Sequence, residues 1–282
     1  MLFDQQPVSI KSCLSAVALP RLETQLLLSH VLDRPREWLI AHDDQVLTGE
    51  QCEQLSQLCQ RRLAGEPMAY LLGHREFMGL SFAVTPAVLI PRPDTELLVQ
   101  TALNALNARG GQRSPRLLDM GTGSGAIAVS VAKVRPDVAV CATDICEQAL
   151  DLAKQNAVTH GVRIQYYLGS WFDALPDGAA PFDVIVSNPP YIQPGDDHLT
   201  QGDLRFEPRT ALTEEVDGLS AYRLLAAQAH RYLVSGGWLC VEHGYDQQHD
   251  VGTIFSQAGL QDIETFFDLS GHPRVTVGSY NM

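Results

Sequence analysis

The sequence predicts an α/β protein: a seven-stranded, mostly parallel sheet with a small helical N-terminal domain, the two joined by a β-hairpin. Three observations predict it. Residues 1 to about 74 space their apolar side chains at helical intervals. After Pro93 the texture changes to short apolar runs alternating with helical segments, the pattern of strands packed between helices. The last two of seven candidate strands are separated by only a short loop, which requires one antiparallel strand in an otherwise parallel sheet. The expected division is a helical domain over 1–74, a hairpin linker over 75–93 and an α/β domain over 94–282.

In chain order, RLETQLLLSHVL (21–32) carries leucines at helical spacing, and CEQLSQLCQRRLAG (52–65) places Cys52, Leu55, Cys59 and Leu63 on one face with Gly65 as a C-terminal cap. Gly65-Glu66-Pro67 breaks the pattern. In EFMGLSFAVTPAVLI (76–90), the alternation of Phe82 and Val84 and the run Val88–Ile90 predict two short strands. PRPDTELL then reads as a helix start, with Pro93 in the first turn and Asp94 and Glu96 near its positive end, or as a segment with an added part in closing the site. The strands are expected at 116–119, 138–143, 164–168, 182–187, 238–242, 263–267 and 274–278. Helices are expected at 126–135, 147–159, 220–233 and 247–258. There are no internal repeats and no low-complexity segments.

Lys plus Arg number 20 against 33 Asp plus Glu, a formal charge of −13, which disfavours nonspecific binding to nucleic acid through phosphate neutralisation. The six cysteines form no CxxC pair and the nine histidines no ligand cluster, so neither a disulfide framework nor a metal site is expected. The N-terminus carries Asp4 and lacks a basic, apolar leader, and no apolar run reaches membrane-spanning length. A cytoplasmic protein is expected.

LLDMGTGSGAIAV puts Gly121, Thr122, Gly123, Ser124 and Gly125 between the first strand of the α/β domain and its helix. Glycines there let backbone N–H groups at a helix N-terminus approach a ligand. The spacing is GxGxG, not the GxGxxG of pyrophosphate sites, and a tight packing turn is the alternative. Asp144 ends the next strand, about twenty positions on, where an acid can accept both hydroxyls of a ribose or cap the following helix. Trp171 follows the third strand and can cover an adenine ring or serve as core. Together these residues point to an adenosine-containing cofactor without separating NAD from S-adenosylmethionine. Asp119, just before the turn, would repel a pyrophosphate and suits the ammonium of a methionine moiety.

SNPPYI (187–192) leaves the buried run FDVIV through Asn188, Pro189, Pro190 and Tyr191. Prolines lack N–H donors and keep their carbonyls, so this corner is rigid and rich in acceptors. The Asn188 side-chain oxygen and the Pro189 carbonyl could hold both hydrogens of a substrate NH₂ group, with the Tyr191 ring as a flat wall. Its nitrogen would then face an electrophile opposite, stabilised as positive charge develops on it. A plain rigid turn is the alternative.

GTGSG paired with NPPY resembles the class I S-adenosylmethionine-dependent methyltransferases, Rossmann-like enzymes acting on planar amino nitrogens of adenine, cytosine or glutamine. GEPMAYLLGHREFMGLSFAVTPAVLIPRPDTE (65–96), SNPPYI and HLTQGDLRFEPRTAL (198–212) resemble the release factor glutamine N5-methyltransferases, the PrmC/HemK family. The resemblance covers nearly the whole chain. It implies S-adenosylmethionine as cofactor and, as substrate, the glutamine of the Gly-Gly-Gln motif in class I peptide chain release factors, docked in part by the N-terminal domain. It also implies cofactor contacts at Gly121 to Gly125, Asp144, Trp171 and Asn188, and substrate contacts at Asn188, Pro189, Pro190 and Tyr191.

Two positions depart from the family pattern. Ser170 stands where an acid is frequent and Met78 where an aromatic is usual. A related enzyme modifies a ribosomal-protein glutamine, but IPRPDTE (90–96) fits the release factor enzymes better. Methylation of adenine in nucleic acid shares the NPPY logic and is disfavoured by the charge. A catalytically idle binding module is disfavoured by the retained Asn188 and glycines. Glu207-Pro208 reads as part of a substrate-shaping lid or as surface.

Overall fold

The computed structural model describes residues 8–107, 114–213 and 216–281; the acidic start of the chain with Asp4 lies outside them. The chain divides into two compact units, Met1–His74 and Arg75–Met282. Among the described residues, no helix is long and apolar enough to cross a membrane.

The first unit is helical: α1 (Ile10–Ala16), α2 (Arg21–Leu32), α3 (Arg36–Ala41), α4 (Gly49–Leu63) and α5 (Met68–Leu72). Its core gathers Leu27 and Leu28 from α2 with Leu55 and Cys59 from α4. Helix α4 starts before the expected Cys52 because Thr48 and Gln51 form a capping box: each side chain satisfies the other's backbone N–H, at 3.2 and 2.9 Å. Arg62 of α4 clasps Glu23 of α2 through two bonds of 2.8 and 2.9 Å.

The hairpin consists of β1 (His74–Phe77) and β2 (Leu80–Ala83). Met78 and Gly79 both have positive φ, 52° and 72°, the requirement of a tight two-residue hairpin turn. Val88–Ile90 is not the second strand. That strand ends at Ala83, and 84–94 runs without a strand. Asn156, buried in α8 (Glu147–His160), takes up both backbone groups of Ala83, at 2.8 and 3.1 Å, and donates to the Ser124 carbonyl at 2.8 Å. The side chain that ends the hairpin thus also fixes the glycine turn.

The second unit continues with α6 (Thr95–Asn107), β3 (Arg116–Met120), α7 (Ala126–Val134), β4 (Ala139–Asp144), α8, β5 (Ile164–Leu168), β6 (Phe182–Ser187), the short α9 (Arg209–Leu212), α10 (Ser220–Ala229), β7 (Leu233–Glu242), α11 (Gln248–Gln257), β8 (Gln261–Phe267) and β9 (Pro273–Tyr280). The seven strands β3–β9 form one sheet in the order β5-β4-β3-β6-β7-β9-β8, with β9 antiparallel to both neighbours and every other pair parallel. The expected single antiparallel strand is β9. Side-chain alternation splits the core: Leu117, Val184 and Val186 pack under α6 and α7, while Leu118, Ile185 and Leu239 pack under α10 and α11.

The largest departure from the expected boundaries lies between α10 and β7. Helix α10 stops at Ala229 instead of Leu233, and β7 begins at Leu233 instead of Trp238. Tyr232 N–H turns back to the Ala229 carbonyl, the Tyr232 carbonyl accepts the Phe182 N–H, and Leu233 pairs with Phe182 before the register shifts. A buried leucine beside two glycines obscured the change from helical to strand period.

Helix α7 starts directly after Gly125, whose φ is 80° and whose missing Cβ would stand 3.0 Å from the Cβ of Ala153 in α8. Gly125→Ala should therefore cost about 2 kcal/mol, from left-handed strain plus a pushed helix contact. The check is a lower urea midpoint at unchanged m; an unchanged midpoint would show that α8 yields freely.

Candidate active site

A cavity of about 700 Å³ opens at the carboxyl ends of β3, β4, β5 and β6. Its floor is the glycine turn. Gly121 and Thr122 both donate to the Thr143 carbonyl of β4, at 2.9 and 3.0 Å. Gly121 and Gly123 hold φ of 73° and 55°, and a Cβ on either would meet nothing within 4 Å, so the glycines serve conformation here and not packing.

Asp144 reaches back to this turn. Its Oδ2 accepts the Gly123 N–H at 2.8 Å and its Oδ1 the Cys146 N–H at 2.9 Å. Burial raises its pKa, opposed by these backbone hydrogen bonds. Each carboxylate oxygen keeps a lone pair for a further donor from the cavity, which it lines. It is not the N-cap of α8, a position Cys146 takes.

Asp119 has a different place from the one expected. It does not line the cavity but is fully buried beneath the turn, where its Oδ2 accepts the Thr122 hydroxyl at 2.6 Å and the Ala128 N–H at 3.2 Å. Among the described residues its Oδ1 has no partner. Burial pushes its pKa up to about 7.

Past β5, Ser170 and Trp171 line the cavity, Trp171 with φ of 47°. From β6, Asn188 and Pro190 line it, whereas Pro189 is buried and Tyr191 is half-buried against the core under α10, neither forming the wall. Burial, with Glu242 nearby, raises the Tyr191 phenol above its ordinary range. The Asn188 Nδ2 donates to Thr95 Oγ1, on the first residue of α6, at 3.2 Å. With those hydrogens directed away, the Asn188 oxygen is the end left to accept from the cavity.

The remaining wall comes from residues to which the sequence assigned no ligand contact. The segment 87–92 forms one side and Thr210, Ala211 and Thr213 another. Glu207 joins them: its Oε2 accepts the Ile90 N–H at 3.0 Å and its Oε1 pairs with Arg92. At 4% exposure Glu207 is not surface. Thus Gly121 to Ser124, Asp144, Trp171, Asn188 and Pro190 share one cavity, and Gly125 stands behind it against α8. Thr95 lines the cavity without having been singled out from the sequence.

Residues 9–73 match the family model described as PrmC N-terminal domain, and residues 93–204 match the methyltransferase small domain. Release factor glutamine methyltransferase of Bordetella pertussis is 52% identical over 95% of this chain and 98% of its own length. Its counterpart in Escherichia coli is 46% identical over 95% of both. The T. thermophilus 16S rRNA N2 G1207 methyltransferase RsmC, solved in complex with AdoMet and guanosine, shares the fold. It aligns at a TM-score of 0.54 with 18% identity, over 74% of this chain and 50% of its own.

The raised Asp119 pKa has a consequence for stability. Between the ordinary aspartate value of 3.8 and about 7 the folded state binds this proton more tightly than the unfolded chain, so the Asp119 contribution weakens as pH rises through that window. Asp119→Asn should lose less melting temperature between pH 5 and pH 8 than the wild type. Parallel thermal melts at the two pH values check this; identical slopes would mean that Asp119 is ionised when folded.

Proposed function

The chain belongs to the release factor glutamine methyltransferase family, and we propose that it transfers a methyl group from S-adenosylmethionine to the side-chain amide nitrogen, N5, of the glutamine in the Gly-Gly-Gln motif of class I peptide chain release factors. The observation that carries this reading is the Asn188 carboxamide: it lines the same cavity as the glycine turn and Asp144, with its NH₂ group donating to Thr95.

The cavity suits the cofactor. The open side of Gly121 and Gly123 admits a ligand close to backbone, the free lone pairs of Asp144 suit a ribose diol, and Trp171 offers a face for adenine. When bound, S-adenosylmethionine supplies a methyl group activated by a positively charged sulfur. The chain's own work is position and electrostatics. Asn188 Oδ1 is the proposed acceptor for one hydrogen of the substrate amide and the Pro189 carbonyl for the other, the proline itself staying buried; Pro190 stiffens the corner, and Tyr191 backs it. A carboxamide nitrogen is a poor nucleophile because its lone pair is delocalised. Acceptors on its hydrogens favour a pyramidal nitrogen and stabilise the positive charge that develops there. No strong base is required before the methyl is transferred. The helical unit, which matches the PrmC N-terminal domain, is the proposed docking element for the release factor.

Incubation with methyl-labelled S-adenosylmethionine, a class I release factor and duplex DNA should label the release factor alone. Label in DNA would move the reading to adenine methylation, and no label in either would leave only a binding role. Asn188→Ala should lower kcat about 100-fold while cofactor affinity changes less than about threefold. Equal losses in both would show that Asn188 serves the cofactor and not the amide.

A further inference from the structure

An asparagine side chain can face a cavity with either its oxygen or its NH₂ group, and only the oxygen can accept from a substrate amide. A second NH₂ group at the same place would meet the substrate hydrogens donor to donor. Some feature of the protein must therefore choose the orientation of Asn188.

The sheet register identifies it. β6 and β7 run parallel with Ser187 opposite Val241, so the next residues, Asn188 and Glu242, leave the sheet side by side. Glu242 is 2% exposed and Thr95 5% exposed. Thr95 Oγ1 accepts from Asn188 Nδ2 at 3.2 Å, which leaves the threonine's own hydrogen to donate onward. The Glu242 carboxylate lies next to the side chains of both Thr95 and Asn188, close enough for each to act on its charge. An ionised carboxylate can only accept, so the direction of donation open to this group is from Asn188 to Thr95 and on toward Glu242. Building on the methyl-transfer reading above, we propose that Glu242 is a positioning residue. Through Thr95 and directly, it takes up the Asn188 NH₂ hydrogens and keeps the amide oxygen facing the cavity.

The groups around Glu242 make this arrangement titratable. Asp94 and Thr95 face it from the start of α6, Asn188 and Tyr191 from the motif, and Arg274 from β9. The Tyr222 hydroxyl of α10 donates to its backbone carbonyl at 3.0 Å. Arg274 is itself shared with Asp94 and Asp268, at 3.3 and 3.2 Å. Burial pushes Glu242 up to about 7. Ionised, it can only accept and the direction of donation holds. Protonated, it can donate to Thr95, and the preference for one Asn188 orientation is lost.

The test uses the full chain with a release factor and labelled S-adenosylmethionine. Glu242→Leu should lower kcat about 100-fold with cofactor affinity within about threefold, and Glu242→Gln, which keeps an acceptor oxygen, should recover at least about tenfold of that loss. Thr95→Ser should retain most of the rate that Thr95→Val loses; this pair carries the test if the Glu242 variants do not fold. In an Asn188→Ala background, Glu242→Leu should cost less than about threefold more. The same loss in both backgrounds would overturn the proposal, as would a Thr95→Val enzyme of wild-type rate. A second measurement needs no turnover. The side-chain amide resonances of ¹⁵N-labelled Asn188 should shift with a midpoint near pH 7 in the wild type, and not in Glu242→Gln. Absence of that shift overturns the inference even if methyl transfer is observed, whereas its presence without methyl transfer sinks only the functional reading.

Discussion

The parallel pairing of β3 with β6 is the constraint from which the site follows. Met120 stands opposite Ser187, and the Ser187 hydroxyl donates to the Met120 carbonyl at 2.8 Å, locking the two strand ends level. Gly121 and Asn188 therefore leave the sheet from neighbouring positions. β3 is also where the strand order turns: β4 and β5 lie on one side of it, β6 and β7 on the other. Connections leaving in opposite directions open a crevice at that point. Asp144 and Trp171 enter from one side and Asn188 from the other. If β6 were slipped by one residue, Asn188 would exchange faces with its neighbour and the acceptor would be lost.

Three carboxylates are buried at this end of the sheet, an expensive arrangement unless each is used. Asp119 holds Thr122 and the first turn of α7, Glu207 holds Ile90 and Arg92, and Glu242 lies against Thr95 and Asn188. Each fixes a different wall of one cavity: floor, side and mouth. Two of them leave an oxygen without a partner among the described residues, Asp119 Oδ1 and Glu242 Oε2. Those two are also the ones pushed up to about 7. Rigid positioning of donors and acceptors is thus obtained at the expense of stability, the trade expected where a site must bind charge that develops during reaction.

The central strands were legible because burial on both faces leaves few polar residues to break the pattern: Phe182–Ser187 is buried throughout, and its apolar positions Phe182 and Val184–Val186, too few for a helix, read as a core strand. The glycine turn, Asp144, Trp171 and Asn188 were legible because each lies at a strand end, a position that local sequence defines. What local sequence could not supply was partners. Asn188 and Thr95 are 93 positions apart, and Arg92 and Glu207 are 115 apart. Pairings of that kind leave no periodic trace. The hairpin was misplaced for a related reason: Val88–Ile90 is apolar because it lies beside the cavity, with Val88 and Ile90 buried, and not because it is a strand.

Glu207 shows how such a distant pairing shapes the site. Between Ile192 and Leu212 the chain makes a long excursion, and both ends are tied: the Ile192 N–H donates to the Leu212 carbonyl at 3.0 Å, and Ile192 bridges Thr213. A loop closed only at its base could swing away from the cavity. Glu207 prevents this by anchoring the excursion to the segment 90–92, so that Thr210, Ala211 and Thr213 stay against the opening. Its side chain has 0% exposure while that of Arg92 retains 31%, so salt screens the pair only from the arginine side, and the backbone N–H of Ile90 supplies a second bond that ionic strength does not weaken. The wall facing the substrate mouth is therefore held by an ion pair and a neutral hydrogen bond on one carboxylate. The acid in RFEPRTAL belongs to the framework of the site, and the loop around it keeps its course because that acid is buried.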